Sequence, residues 1–190
     1  MKPGTRVLGI AESFGDETTS SLGGVVMTLA GRVDDVVLGR CTVGGSDVTE
    51  SVIEMVDRLD REDVRYVLIA GVALAWYNIV DLNRVAATVD RPAIAVTFEE
   101  SEGLEDAIRE HLEADEVVSD RLDRYAQLPS RRALSVDGGS LYVRQVGCGD
   151  EEADELVVRC TEPAVGRPEP LRVAQLVARA FDTYRTTTDI

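Results

Sequence analysis

The 190-residue chain is 44% hydrophobic and 29% charged, a composition that suits one globular domain with a buried core. Its 35 Asp and Glu against 20 Lys and Arg give a formal net charge of -15, and Lys2 is the only lysine. No apolar run reaches the ~20 residues that cross a bilayer, which argues for a soluble protein, and acids scattered through helices and turns argue against a disordered acidic tail.

In chain order, residues 6–11, 22–30 and 33–43 are apolar and β-branched between turn-rich segments, and read as an antiparallel meander. Ser13–Gly24 lacks the lysine of a P-loop and the G-x-G-x-x-G spacing of a dinucleotide site, so it reads as a flexible connector. Ser46 or Asp47 can cap a helix at about 47–61, where Val52, Ile53, Val56 and Leu59 recur at helical spacing. Val64–Ala70 reads as a strand, Asn78–Val89 as a helix, Pro92–Phe98 as a short buried strand and Leu104–Leu112 as a helix. That alternation calls for parallel strands with crossover helices and makes the centre of the fold α/β. Val117–Leu128 is helical, and Ala133–Val136 and Leu141–Val146 flank Asp137-Gly-Gly-Ser140 as a hairpin. Asp150–Cys160 reads as a helix. After the proline-rich Glu162–Pro170 comes a last helix, Leu171–Tyr184, whose stripe of Leu171, Ala174, Leu176, Val177, Ala180 and Phe181 suits the sheet.

The acidic, lysine-poor surface reads as adaptation to a salt-rich cytoplasm, because at molar salt the screening length falls to about 3 Å and self-repulsion weakens. Cys41, Cys148 and Cys160 are odd in number and show no C-x-x-C spacing, and no signal segment opens the chain, which points to a reducing cytoplasm. With a single histidine, His111, expected to be solvated, a structural zinc site is disfavoured.

Three meandering strands, a helix and two strands with intervening helices follow the order of the ribonuclease H-like fold. Gly9-Ile-Ala-Glu-Ser13, Gly24-Val-Val-Met27, Gly45-Ser-Asp-Val-Thr-Glu50, Gly71-Val-Ala-Leu-Ala-Trp-Tyr-Asn-Ile-Val-Asp81, Pro92-Ala-Ile-Ala-Val96 and Pro168-Glu-Pro-Leu-Arg-Val-Ala174 span nearly the whole chain. On these segments the chain resembles an archaeal group, domain-of-unknown-function family ninety-nine, related to endonuclease V and also named deoxyuridine endonuclease. The resemblance implies one endonuclease V-like domain over residues 1–190, a mixed sheet flanked by helices, and an archaeal source, which with the acidic composition reads as a halophilic archaeon. It further implies an enzyme that cuts nucleic acid, DNA above all, near a deaminated base such as deoxyuridine or deoxyinosine, in DNA repair.

Such chemistry needs two or three carboxylates converging on Mg²⁺ to activate water and neutralise charge at the scissile phosphate. The resemblance places these on the first strand, after a glycine turn and at the end of the fourth strand, where this chain has Ala11, Glu50 and Ala70. Glu50 is the retained ligand, and Glu12 stands beside the missing one. A straight strand aims Glu12 away from the side of Ala11, and only a bulge re-aims it. Asp47 and Asp81 are the remaining metal candidates. The plain alternatives are a helix cap for Asp47 and solvated side chains for Asp81 and Glu12.

The wedge that opens the duplex in endonuclease V-like enzymes is here Thr42-Val-Gly-Gly45, too small to wedge. Trp76 and Tyr77, with Asn78 beside them, are the better base contacts, since stacking is worth roughly 1–3 kcal/mol per base. The alternative is that Trp76 covers the sheet edge. Arg131, Arg132, Arg144, Arg167 and Arg172 are a candidate basic strip. Of these Arg172, beside Pro168-Glu-Pro170, is the preferred nucleic-acid contact, and the rest are expected to pair with surface acids. Two readings follow: a Mg²⁺-dependent endonuclease, or a catalytically degenerate module that binds nucleic acid or protein through the old cleft.

Overall fold

Alternating apolar residues build three long antiparallel strands, β1 (Arg6–Ser13), β2 (Thr19–Thr28) and β3 (Val33–Thr42), in a computed structural model that describes residues 1–14, 18–101, 103–137, 139–162 and 164–188. β2 begins at Thr19, so most of the expected connector is strand, and residues 15–17 lie outside the described ones. After α1 (Val48–Leu59), β4 (Val64–Ile69) enters the sheet parallel to β1. A two-residue hairpin follows, β5 (Ala73–Leu74) against β6 (Asn78–Ile79), and then α2 (Leu82–Val89) and β7 (Ala93–Thr97), parallel to β4.

The helix expected from Asn78 therefore starts four residues late. Asp81 is extended, with φ -81° and ψ 96°, and its side chain accepts the Arg84 N–H, which caps α2 and leaves Asn78 and Ile79 to pair as strand.

Beyond β7 come α3 (Glu105–His111), α4 (Asp115–Ala126), the hairpin β8 (Arg132–Val136) and β9 (Gly139–Val146), then α5 (Asp150–Cys160). The hairpin pairs as expected, though Gly138 of its turn lies outside the described residues. β9 runs antiparallel to β7, which completes the order β3-β2-β1-β4-β7-β9-β8. The short pair β10 (Thr161–Glu162) and β11 (Arg167–Pro168) brackets the proline-rich segment, of which Pro163 is outside the described residues. The chain closes with α6 (Glu169–Thr188). This is the α/β mixed sheet flanked by helices that the sequence implied.

Side chains alternate between two cores. Leu8, Ile10, Leu22, Val67, Ile69 and Ala95 face the α1–α4 side, and Val7, Leu68, Ile94 and Val96 face the α5 and α6 side.

The buried line of α6 differs from the expected stripe. Leu171, Ala174, Ala178, Asp182 and Arg185 are inward, whereas Leu176 is 49% exposed and Ala180 is exposed. The cause is close backbone approach: a Cβ on Gly9 would lie 2.5 Å from the Pro170 carbonyl, and one on Gly23 would lie 2.4 Å from the Ala174 carbonyl. At these two crossings the approach leaves no room for a side chain on the strand and sets Pro170, Ala174 and Ala178 of the helix against it. Asp182 and Arg185 are buried because Ser21 serves both, its hydroxyl donating to Asp182 at 3.0 Å and accepting from Arg185 at 2.8 Å. Among the described residues no helix is long and apolar enough to cross a membrane.

Candidate functional site

The carboxyl ends of the parallel strands β1 and β4 form the site to which the sequence points. On the α6 side of that end stand Ala11 and Ala70. Ala11 is buried, and both pack in one small apolar cluster with Val25, Met27, Ala174 and Val177. The β1–β2 register runs unbroken from Arg6↔Thr28 to Ser13↔Ser21, so no bulge turns Glu12 toward them. Glu12 lies on the opposite face and cannot replace a carboxylate at Ala11.

There Glu12 accepts the Ser20 hydroxyl at 3.0 Å and the Ala75 N–H at 2.6 Å, and burial raises its pKa against the opposing pull of these two bonds. Ala75, Trp76 and Tyr77 all have positive φ, at 43°, 60° and 60°. Left-handed backbone costs a non-glycine residue about 1–2 kcal/mol, so three in a row persist only when their surroundings impose them. The surroundings are visible. Glu12 holds the Ala75 N–H, and the Ala75 carbonyl accepts the Gly44 N–H at 2.7 Å. Arg121 of α4, a buried residue that sequence reading passed over, donates to the Gly44 and Gly45 carbonyls at 3.0 and 2.6 Å.

Asn78 closes the other end of this turn. Expected at the nucleic-acid surface, it is instead wholly buried: its amide nitrogen donates to Asp47 at 2.7 Å and to the Thr42 carbonyl at 3.0 Å, and its oxygen accepts the Val48 N–H at 3.2 Å. Asn78 thus supplies a side-chain acceptor at the start of α1, while the Asp47 side chain makes no cap bond of its own. Asp47 reaches back to the Thr42 N–H and hydroxyl, at 3.0 and 2.8 Å. Burial pushes its pKa up, but the Thr42 and Asn78 hydrogen bonds outweigh it and hold the value below the ordinary one. Both Glu12 and Asp47 bear on buried Cys41, whose thiol is pushed up to about 12, mainly by burial.

The turn projects Trp76, which is 54% exposed. Its ring centroid is 5.5 Å from that of Tyr77 and 5.7 Å from that of His111, both in edge-on contact. His111 ends α3, bonds the Ala107 carbonyl at 2.9 Å and so backs the tryptophan, a role its sequence neighbours did not signal.

Glu50 and Asp81 lie elsewhere, on the outer side of α1 and α2. Glu50 is half exposed and ion-paired with Arg84, while Asp81 accepts the Arg84 backbone N–H at 3.0 Å. The four expected ligands are therefore gathered two by two: Glu12 with Asp47 around Cys41, and Glu50 with Asp81 around Arg84. Mg²⁺ demands oxygens converging at about 2.0–2.1 Å in near-octahedral geometry. Among the described residues no group of three His, Cys, Asp or Glu side chains can hold a metal ion, and protein donors engage all four carboxylates. The residues present do not fit Mg²⁺.

Arg172, expected at nucleic acid, is held by Glu169 through two bonds of 2.7 and 2.6 Å. Arg132 pairs with Asp154. Arg131, Arg144 and Arg167 lie instead over the rings of Tyr142, Tyr125 and Phe98, at 3.9, 5.0 and 4.6 Å. The expectation that they pair with acids is not met among the described residues.

Comparison with known proteins extends this picture. The family model described as Endonuclease dU matches residues 3–182. A UPF0215 protein of Pyrobaculum calidifontis is 31% identical over 180 residues, covering 93% of this chain and 97% of that one. A solved protein of unknown function from Archaeoglobus fulgidus superposes with a TM-score of 0.79 at 26% identity, covering 93% and 97% of the two chains. Endonuclease V of Ciona intestinalis, solved in complex with DNA containing an inosine followed by a ribo-adenosine, gives 0.64 at 16% identity, covering 95% and 87%. At that identity the likeness is one of fold.

Proposed function

The chain belongs to the endonuclease dU family, and on that premise we propose that it acts in DNA repair on nucleic acid containing a deaminated base, deoxyuridine or deoxyinosine. The observation that carries this reading is the exposed Trp76 turn at the carboxyl end of β4, clamped to the ends of β1 and β3. An aromatic face held rigid at that edge offers a stacking surface to a base that has left its helix. The inosine-containing DNA bound by the Ciona endonuclease V, on the same fold, supports the same substrate class.

Two chemistries remain for that substrate. Phosphodiester hydrolysis is supported by the family alone, since Glu50 and Glu12, the catalytic candidates, and Asp47 and Asp81, the further ligand candidates, do not converge on one Mg²⁺ site. A degenerate module that recognises the base without cutting is supported by the alanines at Ala11 and Ala70 and by the engaged state of all four carboxylates. The geometry supports recognition without cutting, because a cation would have to displace the Arg84 guanidinium at Glu50 and the Ala75 N–H at Glu12. Of the contacts proposed from the sequence, Trp76 is exposed and Tyr77 is half-buried against the core, whereas Asn78 is buried and Arg172 is neutralised by Glu169.

The test is incubation in molar KCl with Mg²⁺ or Mn²⁺ and end-labelled duplexes and single strands carrying one deoxyuridine or deoxyinosine, beside undamaged controls. Retention of the damaged strands, uncut, is expected. Site-specific cutting abolished by Glu50→Gln would restore the hydrolytic reading, and equal indifference to all strands would remove the nucleic-acid reading itself.

A further inference from the structure

We infer that Glu12 is a positioning residue: with Asp47 it holds the left-handed turn Ala75–Tyr77 so that Trp76 presents a metal-independent stacking surface for one unpaired base. The inference rests on the nucleic-acid reading above and concerns what these two carboxylates do instead of binding a cation.

Three independent features converge on the turn. Its backbone is in the left-handed region at three successive residues that are not glycine, a state the local sequence does not favour. Beside the local β5–β6 pairing, it is fixed by residues distant in the chain: Glu12 at the Ala75 N–H, Gly44 at the Ala75 carbonyl, and Asp47 and Thr42 at Asn78. The largest side chain on the turn, Trp76, is not used to fill the core, although the neighbouring Ala75, Leu74 and Asn78 are buried. A turn so heavily fixed, displaying an exposed tryptophan backed by Tyr77 and His111, is built to offer that ring in one orientation.

The occupant follows from charge. In a chain of net charge -15, phosphate contacts are weakened by repulsion, and counterion release gives little at high salt. Base stacking on an aromatic ring has no such dependence and tolerates any flat heterocycle that has left its stack. The ligand class is therefore an unpaired base in a single strand or at a damaged pair. Preordering Trp76 removes the entropy loss that a mobile tryptophan would suffer on binding.

Trp76 is the only tryptophan, so its fluorescence reports the site directly. Full-length protein in molar KCl with EDTA is titrated with a short single strand carrying one deoxyuridine, labelled so that anisotropy reports binding independently. Saturable quenching of Trp76 in step with anisotropy is expected. Glu12→Ala should weaken binding roughly ten-fold or more, with a helical spectrum unchanged. Glu12→Gln, whose amide oxygen still accepts the Ala75 N–H, should restore it. Binding without Trp76 quenching, or an equal loss in Glu12→Gln and Glu12→Ala, overturns the inference and leaves the nucleic-acid reading standing. No anisotropy change with any strand overturns both.

Discussion

An aspartate introduced at Ala11 would point at Ala174 and Val177 of α6, into an apolar cluster. Ala11→Asp should cost about 3 kcal/mol or more, since an unpaired buried charge is heavily penalised, and denaturant unfolding measures the loss. It should not create a cation site, because Glu12 lies on the other face of β1. A new saturable Mn²⁺ signal in that variant would contradict the assignment of faces. Glu12 itself makes a pH prediction. Burial raises its folded pKa above the ordinary glutamate value, so its contribution is full below that value and is lost as pH rises through the folded one. Glu12→Gln, which never ionises, should therefore gain stability relative to the native chain between acid and neutral pH. The opposite trend in paired denaturation curves would contradict the burial. At this scale the sequence was half legible. Strand alternation correctly set Glu12 against Ala11, but neither plain role expected of Asp47, a helix cap, or of Asp81, a solvated side chain, is the one observed. Asp81 is the helix cap, and Asp47 spends its oxygens on Thr42 and Asn78. Both residues precede helices, and nothing local tells which side chain finds a distant partner first.

The elements follow hydrophobic period wherever one face meets a core, as in β1, α1 and β7. They depart from it where backbones touch. The apolar stripe of α6 suggested Leu176 and Ala180 as buried, yet the helix turns its small residues to the strands because Gly9 and Gly23 let it come close. Strand glycines are the sequence signal for such an approach. Gly23→Ala should cost about 1–3 kcal/mol by overpacking against Ala174 and Ala178, read as a lowered melting temperature, whereas Gly4→Ala, with open space around it, should be neutral. Equal effects of the two would contradict the close contact. The Ala75–Tyr77 turn was illegible for a different reason. Alanine, tryptophan and tyrosine carry no preference for left-handed backbone, so that conformation is imposed by Glu12, Gly44 and Arg121 from three other elements.

Across the whole molecule, 35 acids against 20 bases repel one another over a screening length that shrinks from about 10 Å at 0.1 M salt to about 3 Å at 1 M. The melting temperature should therefore climb with KCl and level off near molar salt. A melting temperature indifferent to KCl would contradict the reading of the surface as salt-adapted. The thiols should react slowly through that range, since burial pushes Cys41 and Cys160 up to about 12 and Cys148 up to about 11. The half-buried Cys148 should be the first to react with a thiol reagent at neutral pH. The sheet order was legible in outline, because a meander followed by strand and helix alternation leaves few arrangements. The site was not. Alanine at Ala11 and Ala70 reads in the sequence as a damaged metal centre, while in the structure Glu12, Asp47 and Asp81 hold backbone N–H groups and Glu50 holds Arg84.

The most direct measurement is the affinity of a labelled single strand carrying one deoxyuridine, in molar KCl, with EDTA and then with Mg²⁺, followed by inspection of the recovered strand. Equal affinity in both, with the strand intact, is predicted. Binding that appears only with Mg²⁺, or a strand recovered cut at one position, would contradict the claim that these carboxylates hold the Trp76 turn rather than a metal.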